Sequence, residues 1–200
     1  MYVKICGLST VESARAALNA GADAVGMVMS RRSRRNVSVP TARSIADFVG
    51  SAADVVLVVD ALPVDEAASL AREIGADVLQ LHGDAYGPHD FIAAGAVMPR
   101  LWRATSATAH AKFEVGSWGE EALLLDSPDP GSGVRWDSSD LRVEPAGKWL
   151  LAGGLNPDNV STAVASAQPW GVDVSSGVES APGVKSNALI AAFVTAARGS

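Results

Sequence analysis

Residues 21–28, GADAVGMV, pass from a glycine through a single aspartate into an apolar, β-rich run, and the same order returns at 52–59 (AADVVLVV) and 75–82 (GADVLQLH). Each copy begins where a helical spacing ends, so the repeat reads as a helix end, a turn and the strand that follows. The aspartates stand at strand starts in all three copies, which makes them structural residues.

Working outward, five more runs of the same kind complete a set of eight: YVKIC (2–6), DAVGMVM (23–29), DVVLVV (54–59), DVLQLH (77–82), MPRLWRA (98–104), EALLLD (121–126), KWLLAG (148–153) and WGVDVSS (170–176). Helical spacing fills most of the gaps. In 9–20, Ser9 and Glu12 have the pattern of a capping box, Val11, Ala14 and Leu18 share one face, and Gly21 suits the stop. Eight strands, each followed by a helix or a segment of helical length, predict a single-domain (β/α)8 TIM barrel over residues 1–200. An open doubly wound sheet of eight strands is the main rival. The sixth connection, SPDPGSGVRWDSSDLRVEPAG (127–147), is rich in Pro and Gly and holds at most a short helix.

Composition bounds the function. Of the 200 residues, 48% are hydrophobic and 19% charged, enough for a full core, yet no uninterrupted apolar stretch is long enough to cross a bilayer. One cysteine rules out an internal disulfide, and the opening MYVKICG enters a strand with no signal-peptide pattern, so the expected compartment is the cytoplasm. A net charge of −6 argues against a nucleic-acid partner. An anionic ligand therefore has to be held by local groups. The histidines at 82, 89 and 110 show no metal-ligand spacing and read as surface or loop residues; no metal is expected. No G-x-G-x-x-G follows the first strand, which leaves a dinucleotide unsupported.

In a barrel of this kind the reactive groups gather at the carboxyl ends of the strands. Two loops point to an anion. LLAGGLNPDNV runs from strand seven through Gly153 and Gly154 to Asn156 at an N-cap and Pro157 at a first helical position, and DVSSGVES brings Ser175, Ser176 and Gly177 after strand eight. Backbone N–H groups in such loops, aimed at a helix start, make an anion site. Asp173 lies two residues before Ser175 and so shares its face, below the expected phosphate. Asp126 ends a strand too apolar to hold an unpaired carboxylate, and Asp60, ending VLVVD, looks the same locally. Cys6 ends the first strand ahead of Gly7; taken alone it reads as a small buried apolar residue, whereas next to the anion site the alternative is a partly exposed thiol with its pKa lowered by dipoles or cations, and hence a proton acceptor. The loop SRRSRRNVS (30–38) offers four arginines and reads either as a solvated charged loop or as the source of a guanidinium that grips a carboxylate in a bidentate pair, with nothing local to say which arginine.

Assembled in order, KICG (4–7), GADAVGMV (21–28), SRRNVS (33–38), LQLHGD (79–84), LLLD (123–126), LAGGLNPDNV (151–160) and VDVSSGVES (172–180) resemble the phosphoribosylanthranilate isomerase family of tryptophan biosynthesis almost end to end. The resemblance implies a (β/α)8 barrel that catalyses an Amadori rearrangement, with Cys6 as general base and Asp126 as general acid. It implies Arg35 as partner of the anthranilate carboxylate, Asp173 near the reacting sugar, and Gly153, Gly154, Ser175, Ser176 and Gly177 on the phosphate loops. No cofactor is implied; the partner is a small phosphoribosyl substrate, and the chain is expected to act as a monomer or homodimer. The sequence departs from the family in PGSG at 130–133 after the acid strand, in Asp60 where Asn is common, and in RLWRA, which puts Arg103 at a lysine position. The alternatives are another phosphate-binding barrel isomerase, such as aminoimidazole carboxamide ribotide isomerase or a dual-specificity enzyme, and a non-catalytic sugar-phosphate-binding barrel.

Overall fold

The computed structural model describes residues 1–106, 113–126 and 147–199. Eight parallel strands close into a barrel in chain order: β1 (Tyr2–Ile5), β2 (Ala24–Met29), β3 (Asp54–Val59), β4 (Val78–His82), β5 (Leu101–Ser106), β6 (Ala122–Asp126), β7 (Trp149–Ala152) and β8 (Gly171–Val174). β8 pairs with β1, Val3 against Val172 and Ile5 against Val174, so no edge strand is left and the open-sheet rival is excluded. All eight expected strands form. The fifth starts at Leu101 rather than Met98, beyond Pro99, which has no N–H to give a ladder.

Among the described residues six helices cover the outside: α1 (Val11–Ala20), α2 (Val39–Val49), α3 (Val64–Ile74), α4 (Pro88–Gly95), α5 (Val160–Ala167) and α6 (Asn187–Arg198). The expectation of a helix or helix-length segment after every strand is met in part: after β5 the described stretch 113–121 is turns, and the sixth connection lies outside the described residues. The cap of α1 is Thr10, whose hydroxyl accepts from Ser13 N at 3.1 Å, and not the Ser9–Glu12 pair. Gly21 ends that helix in the left-handed region, φ 88°. α3 buries Ala67, Ala68, Ala71 and Ile74, the spacing of one helical face.

The repeated aspartates act as expected of structural residues. Asp23 accepts from Val3 N at 2.8 Å and Asp77 from Val55 N at 2.8 Å, each tying a strand start to its neighbour. Asp54 instead joins a floor network. It accepts from Tyr2 Oη at 2.6 Å and pairs with Arg100, which also reaches Glu121, and Lys148 closes on Glu121 from the other side.

Strand alternation divides the core. Outward residues such as Val25, Leu57, Leu79 and Leu151 pack under the helices, and inward ones fill the barrel. The strand registers stack the inward side chains in layers drawn alternately from odd and even strands. Rising through the middle, these are Lys4, Val56, Trp102 and Leu150; then Gly26, Gln80, Leu124 and Asp173; then Cys6, Val58, Ala104 and Ala152. At the rim come Val28, His82, Asp126 and Ser175.

Candidate active site

Cys6 stands at the carboxyl end of β1, where its N–H donates to Val174 O at 2.8 Å and so locks it beside β8. Gly7 follows at φ 72°, turning the chain away; a Cβ there would meet the Arg35 side chain and, at 2.9 Å, the Ser175 hydroxyl. Of the two readings of Cys6 the buried one holds, and the partly exposed thiol with lowered pKa does not. Cys6 is 6% exposed, and burial pushes its pKa up, against the pull of the Lys4 and Lys185 ammoniums and with the help of the Asp173 carboxylate. Desolvation outweighs the cations because the thiolate loses its water on every side.

Asp126 ends β6 on the far side of the mouth. Its side chain keeps about a fifth of its surface, and burial with the Asp173 charge raises its pKa, opposed by His82 and Lys4. His82, the last residue of β4, comes within 3.6 Å of Asp126 through Nε2. It is therefore a part-exposed rim residue facing Asp126, a placement that the reading as a surface or loop histidine did not include; alternation from Val78 and Gln80 was the signal that could have found it. His89 is exposed on α4, and His110 lies outside the described residues.

Beneath the thiol lies a charge that local pattern hid in the middle of an apolar run. Lys4 is fully buried, and its Nζ meets Asp173 Oδ1 at 2.8 Å. Burial alone would lower its pKa, but Asp173 and Cys6 outweigh that and raise it, so it stays an ammonium. Gly26 makes the room: a Cβ there would come 2.9 Å from Cys6 Sγ and 3.1 Å from Lys4 Cε.

Asp173 lies on the inward face of β8, and Ser175 is the first residue past the strand's end. Beyond them Ser176–Val178 form one 3-10 turn, then β9 (Glu179–Ala181) and β10 (Val184–Lys185) fold back as a hairpin. That return brings in two residues that sequence reasoning does not single out. Lys185 Nζ donates to Ser175 O at 2.8 Å and Oγ at 3.3 Å and pairs with Glu179 at 3.0 Å. Arg35 reaches across from the loop after β2 and grips Glu179 with both Nε (2.6 Å) and Nη2 (3.0 Å). The bidentate guanidinium grip is present, but its carboxylate here is the protein's own. Arg35, the Gly183 N–H and Lys185 hold the pKa of Glu179 down to about 2 despite burial.

Gly153 and Gly154 follow β7 at φ 81° and 68°, a left-handed pair that only glycine adopts without strain. The helix expected at Asn156 and Pro157 begins only at Val160: Asn156 Oδ1 instead accepts from Asp158 N and Asn159 N in a turn ahead of α5. The loops after β7 and β8 touch directly, since a Cβ on Gly177 would collide with Leu155 O. Cys6, Asp126, Arg35, Asp173, Gly153, Gly154, Ser175, Ser176 and Gly177 thus all gather at the carboxyl end of the barrel. Asp60, the first residue past the carboxyl end of β3, bonds to the loop after β2, and Arg103 does not join the set. Asp60 accepts from Ser30 Oγ at 2.7 Å and ties two loops, and Arg103 points outward to Glu120 (2.9 Å) beneath the Trp118 ring. The PGSG stretch lies outside the described residues. Among the described residues no group of three or more His, Cys, Asp or Glu is arranged to hold a metal ion, and no helix is long and apolar enough to cross a membrane.

Residues 3–196 match the family model of N-(5'phosphoribosyl)anthranilate (PRA) isomerase. The N-(5'-phosphoribosyl)anthranilate isomerase of Thiobacillus denitrificans is 38% identical over 208 residues, covering 99% of this chain and 98% of that one. Among solved structures, TrpF from Jonesia denitrificans superposes with a TM-score of 0.94 at 51% identity, over 100% of this chain and 97% of that one. A phosphoribosyl anthranilate isomerase in complex with reduced 1-(o-carboxyphenylamino)-1-deoxyribulose 5-phosphate matches at TM-score 0.81 and 28% identity over the whole of both chains.

Proposed function

Because the chain belongs to the N-(5'-phosphoribosyl)anthranilate isomerase family of tryptophan biosynthesis, we propose that Cys6 and Asp126 are the base and acid of its Amadori rearrangement. The observation that carries this reading is geometric: a thiol on β1 and a carboxyl on β6 face one barrel mouth from opposite sides, in adjacent layers.

Burial raises the pKa of Asp126, which favours the protonated form that an acid needs. Asp126 donates to the ribose ring oxygen of N-(5'-phosphoribosyl)anthranilate; the C1'–O bond breaks and the anilino nitrogen lone pair forms an iminium ion. Cys6 as thiolate then takes the C2' proton, the C–H electrons become the C1'–C2' double bond, and the iminium π electrons return to nitrogen. The enolamine tautomerises to the ketone of 1-(o-carboxyphenylamino)-1-deoxyribulose 5-phosphate. Each proton transfer contributes roughly 10²–10⁴-fold.

The loops carrying Gly153, Gly154, Ser175, Ser176 and Gly177 hold the phosphate, with Lys185 bracing Ser175. Arg35 takes the anthranilate carboxylate, sharing its guanidinium with Glu179, and Asp173 sets the sugar between base and acid. Holding both ends of the substrate lowers the entropic cost of alignment. The enzyme works in the cytoplasm as a monomer or homodimer.

The test follows the loss of anthranilate-adduct fluorescence when freshly made substrate meets the purified chain. Cys6→Ala and Asp126→Asn are each expected to lose at least about 10² in turnover while staying folded. Normal turnover in either variant rejects that residue's role. Turnover of the aminoimidazole carboxamide ribotide in a parallel assay would extend the activity, and no turnover of either ribotide would leave only a binding barrel.

A further inference from the structure

A buried thiol faces a difficulty as a base. It must shed a proton to act, yet the apolar barrel interior disfavours the thiolate, so some nearby group has to compensate. The groups around Cys6 from every packed element decide what can do so. From β1 itself comes Lys4, and from β8 comes Asp173. The β9–β10 hairpin brings Lys185 with Glu179, and the loop after β2 brings Arg35. β2 presents only Gly26, and Asp126 with His82 stands across the mouth.

Two of the three cations are engaged elsewhere. Arg35 and Lys185 both direct their charge at Glu179, and Lys185 also holds Ser175. Lys4 differs in position. It is fully buried and rises from a lower layer, with its Cε and the Cys6 sulfur both about 3 Å from one point, the missing Cβ of Gly26. A single carboxylate, Asp173, anchors its ammonium at 2.8 Å.

We propose that Lys4 is a positioning residue for the reaction: its buried ammonium, held in place by Asp173, is the counter-charge that allows Cys6 to exist as the thiolate. This rests on Cys6 being the base. The chemistry fits a lysine better than a hydrogen-bonding neutral group, because in a dry interior an opposite charge a few ångströms away is the strongest available stabiliser of an anion. Asp173 has two opposed effects. Its charge works against the thiolate, and its ion pair keeps Lys4 protonated and aimed upward.

Titration of the thiol supplies a test that no merely structural pair would satisfy. The chain has one cysteine, so ultraviolet thiolate absorbance, referenced to Cys6→Ser, titrates this sulfur alone and needs no substrate. Lys4→Met is expected to raise the titration midpoint and cut the thiolate fraction at neutral pH at least about tenfold, while Lys4→Arg leaves the thiolate close to the parent's. Turnover of Lys4→Met should fall at neutral pH and recover as pH rises, a recovery that a damaged fold would not give. A Lys4→Met midpoint equal to or below the parent's overturns the proposal. Should Lys4→Met not fold around its unpaired Asp173, the double variant Lys4→Met/Asp173→Asn leaves no lone buried charge and is titrated instead; a midpoint above the parent's supports the proposal and an unmoved one overturns it. Normal turnover in Cys6→Ala would remove the base assignment while leaving these titrations standing, so the two failures are distinguishable.

Discussion

Gly26→Ala probes the site with one methyl group. The added Cβ would lie 2.9 Å from Cys6 Sγ, 3.1 Å from Lys4 Cε and 3.2 Å from Cys6 Cα. Carbon and sulfur in ordinary contact stand roughly 3.5–4 Å apart, so the thiol must retreat by somewhat under about 1 Å. Because the backbone of Cys6 is crowded along with its sulfur, β1 cannot absorb the methyl group by a rotamer change alone. Overpacking of this kind costs about 1–3 kcal/mol. A misplacement of about 1 Å at a reacting group costs up to about 10² in rate. Gly171→Ala is the matched control. Its Cβ would crowd Tyr2 O at 2.8 Å and Tyr2 Cβ at 3.1 Å, an equal intrusion into the same barrel, but at the floor. We predict that thermal melts show both variants destabilised by comparable amounts, whereas initial rates in the fluorescence assay show kcat reduced about 10–10² only for Gly26→Ala, with KM little changed because the groups proposed to grip phosphate and carboxylate are untouched. If Gly26→Ala melts lower yet turns over like the parent, the thiol at this place is not the base. If Gly171→Ala loses as much kcat as Gly26→Ala, the loss is general softening of the barrel and the reasoning fails.

Other outcomes follow from the same geometry. Asp126 has a folded pKa raised by burial, so it lowers stability once pH exceeds its unfolded value near 3.8, the full loss being present above the folded pKa; Asp126→Asn is expected to melt higher than the parent at neutral pH, with the advantage vanishing in acid, in scans across pH. Glu179 shows the opposite sign: its folded pKa of about 2 lies below the ordinary 4.5, so its contribution is complete above pH 4.5 and is lost as pH falls toward 2, and Glu179→Gln should flatten that part of an acid unfolding curve. In kinetics Glu179→Gln is expected to raise KM more than it lowers kcat, because it loosens both Arg35 and Lys185; a variant with parental KM would show that neither cation needs it. Arg100→Met removes the partner of Asp54 and Glu121 at the floor and should cost stability with kcat intact, as paired melts and initial rates would show.

How much of this was legible in sequence depends on how far apart the cooperating residues lie. Strand order and closure could be read because each βα unit is local: Asp23, Asp54 and Asp77 mark the strand starts and period-two alternation does the rest. The same rule assigns Asp173 to the inward face of β8, and it gives Lys4 and His82 as well when carried along β1 and β4 from Cys6 and Val78. Lys185 is beyond such reach. It sits in a two-residue strand whose only role is to fold back on β9, and nothing periodic in APGVKSN marks a lysine that ends under Ser175. The raised pKa of Cys6 was illegible for another reason. A loop cysteine and a buried one look alike in sequence, and the sign of the shift is decided by desolvation, which depends on Val58, Ala104 and Ala152 arriving from three other strands to share its layer.

The cluster around the thiol also explains how a chain of net charge −6 receives a substrate with a phosphate and a carboxylate. Lys4, Arg35 and Lys185 face Asp173 and Glu179, so three cations meet two carboxylates and one positive charge is left over. Leaving all three cations bare in a part-buried site would be costly, and pairing all of them would leave nothing for an anion. A surplus of one suits either a thiolate or an arriving phosphate, and the two compete for it: a dianion seated by Ser175 disfavours the charge on Cys6. Inorganic phosphate should therefore raise the midpoint of the thiol titration, by more in Lys4→Met than in the parent, since Lys4 rises from below the thiol, away from Ser175, and is the cation that Cys6 does not have to share. An unchanged midpoint at saturating phosphate would mean that the thiol and the phosphate site are electrostatically independent, and that the surplus charge is neutralised elsewhere.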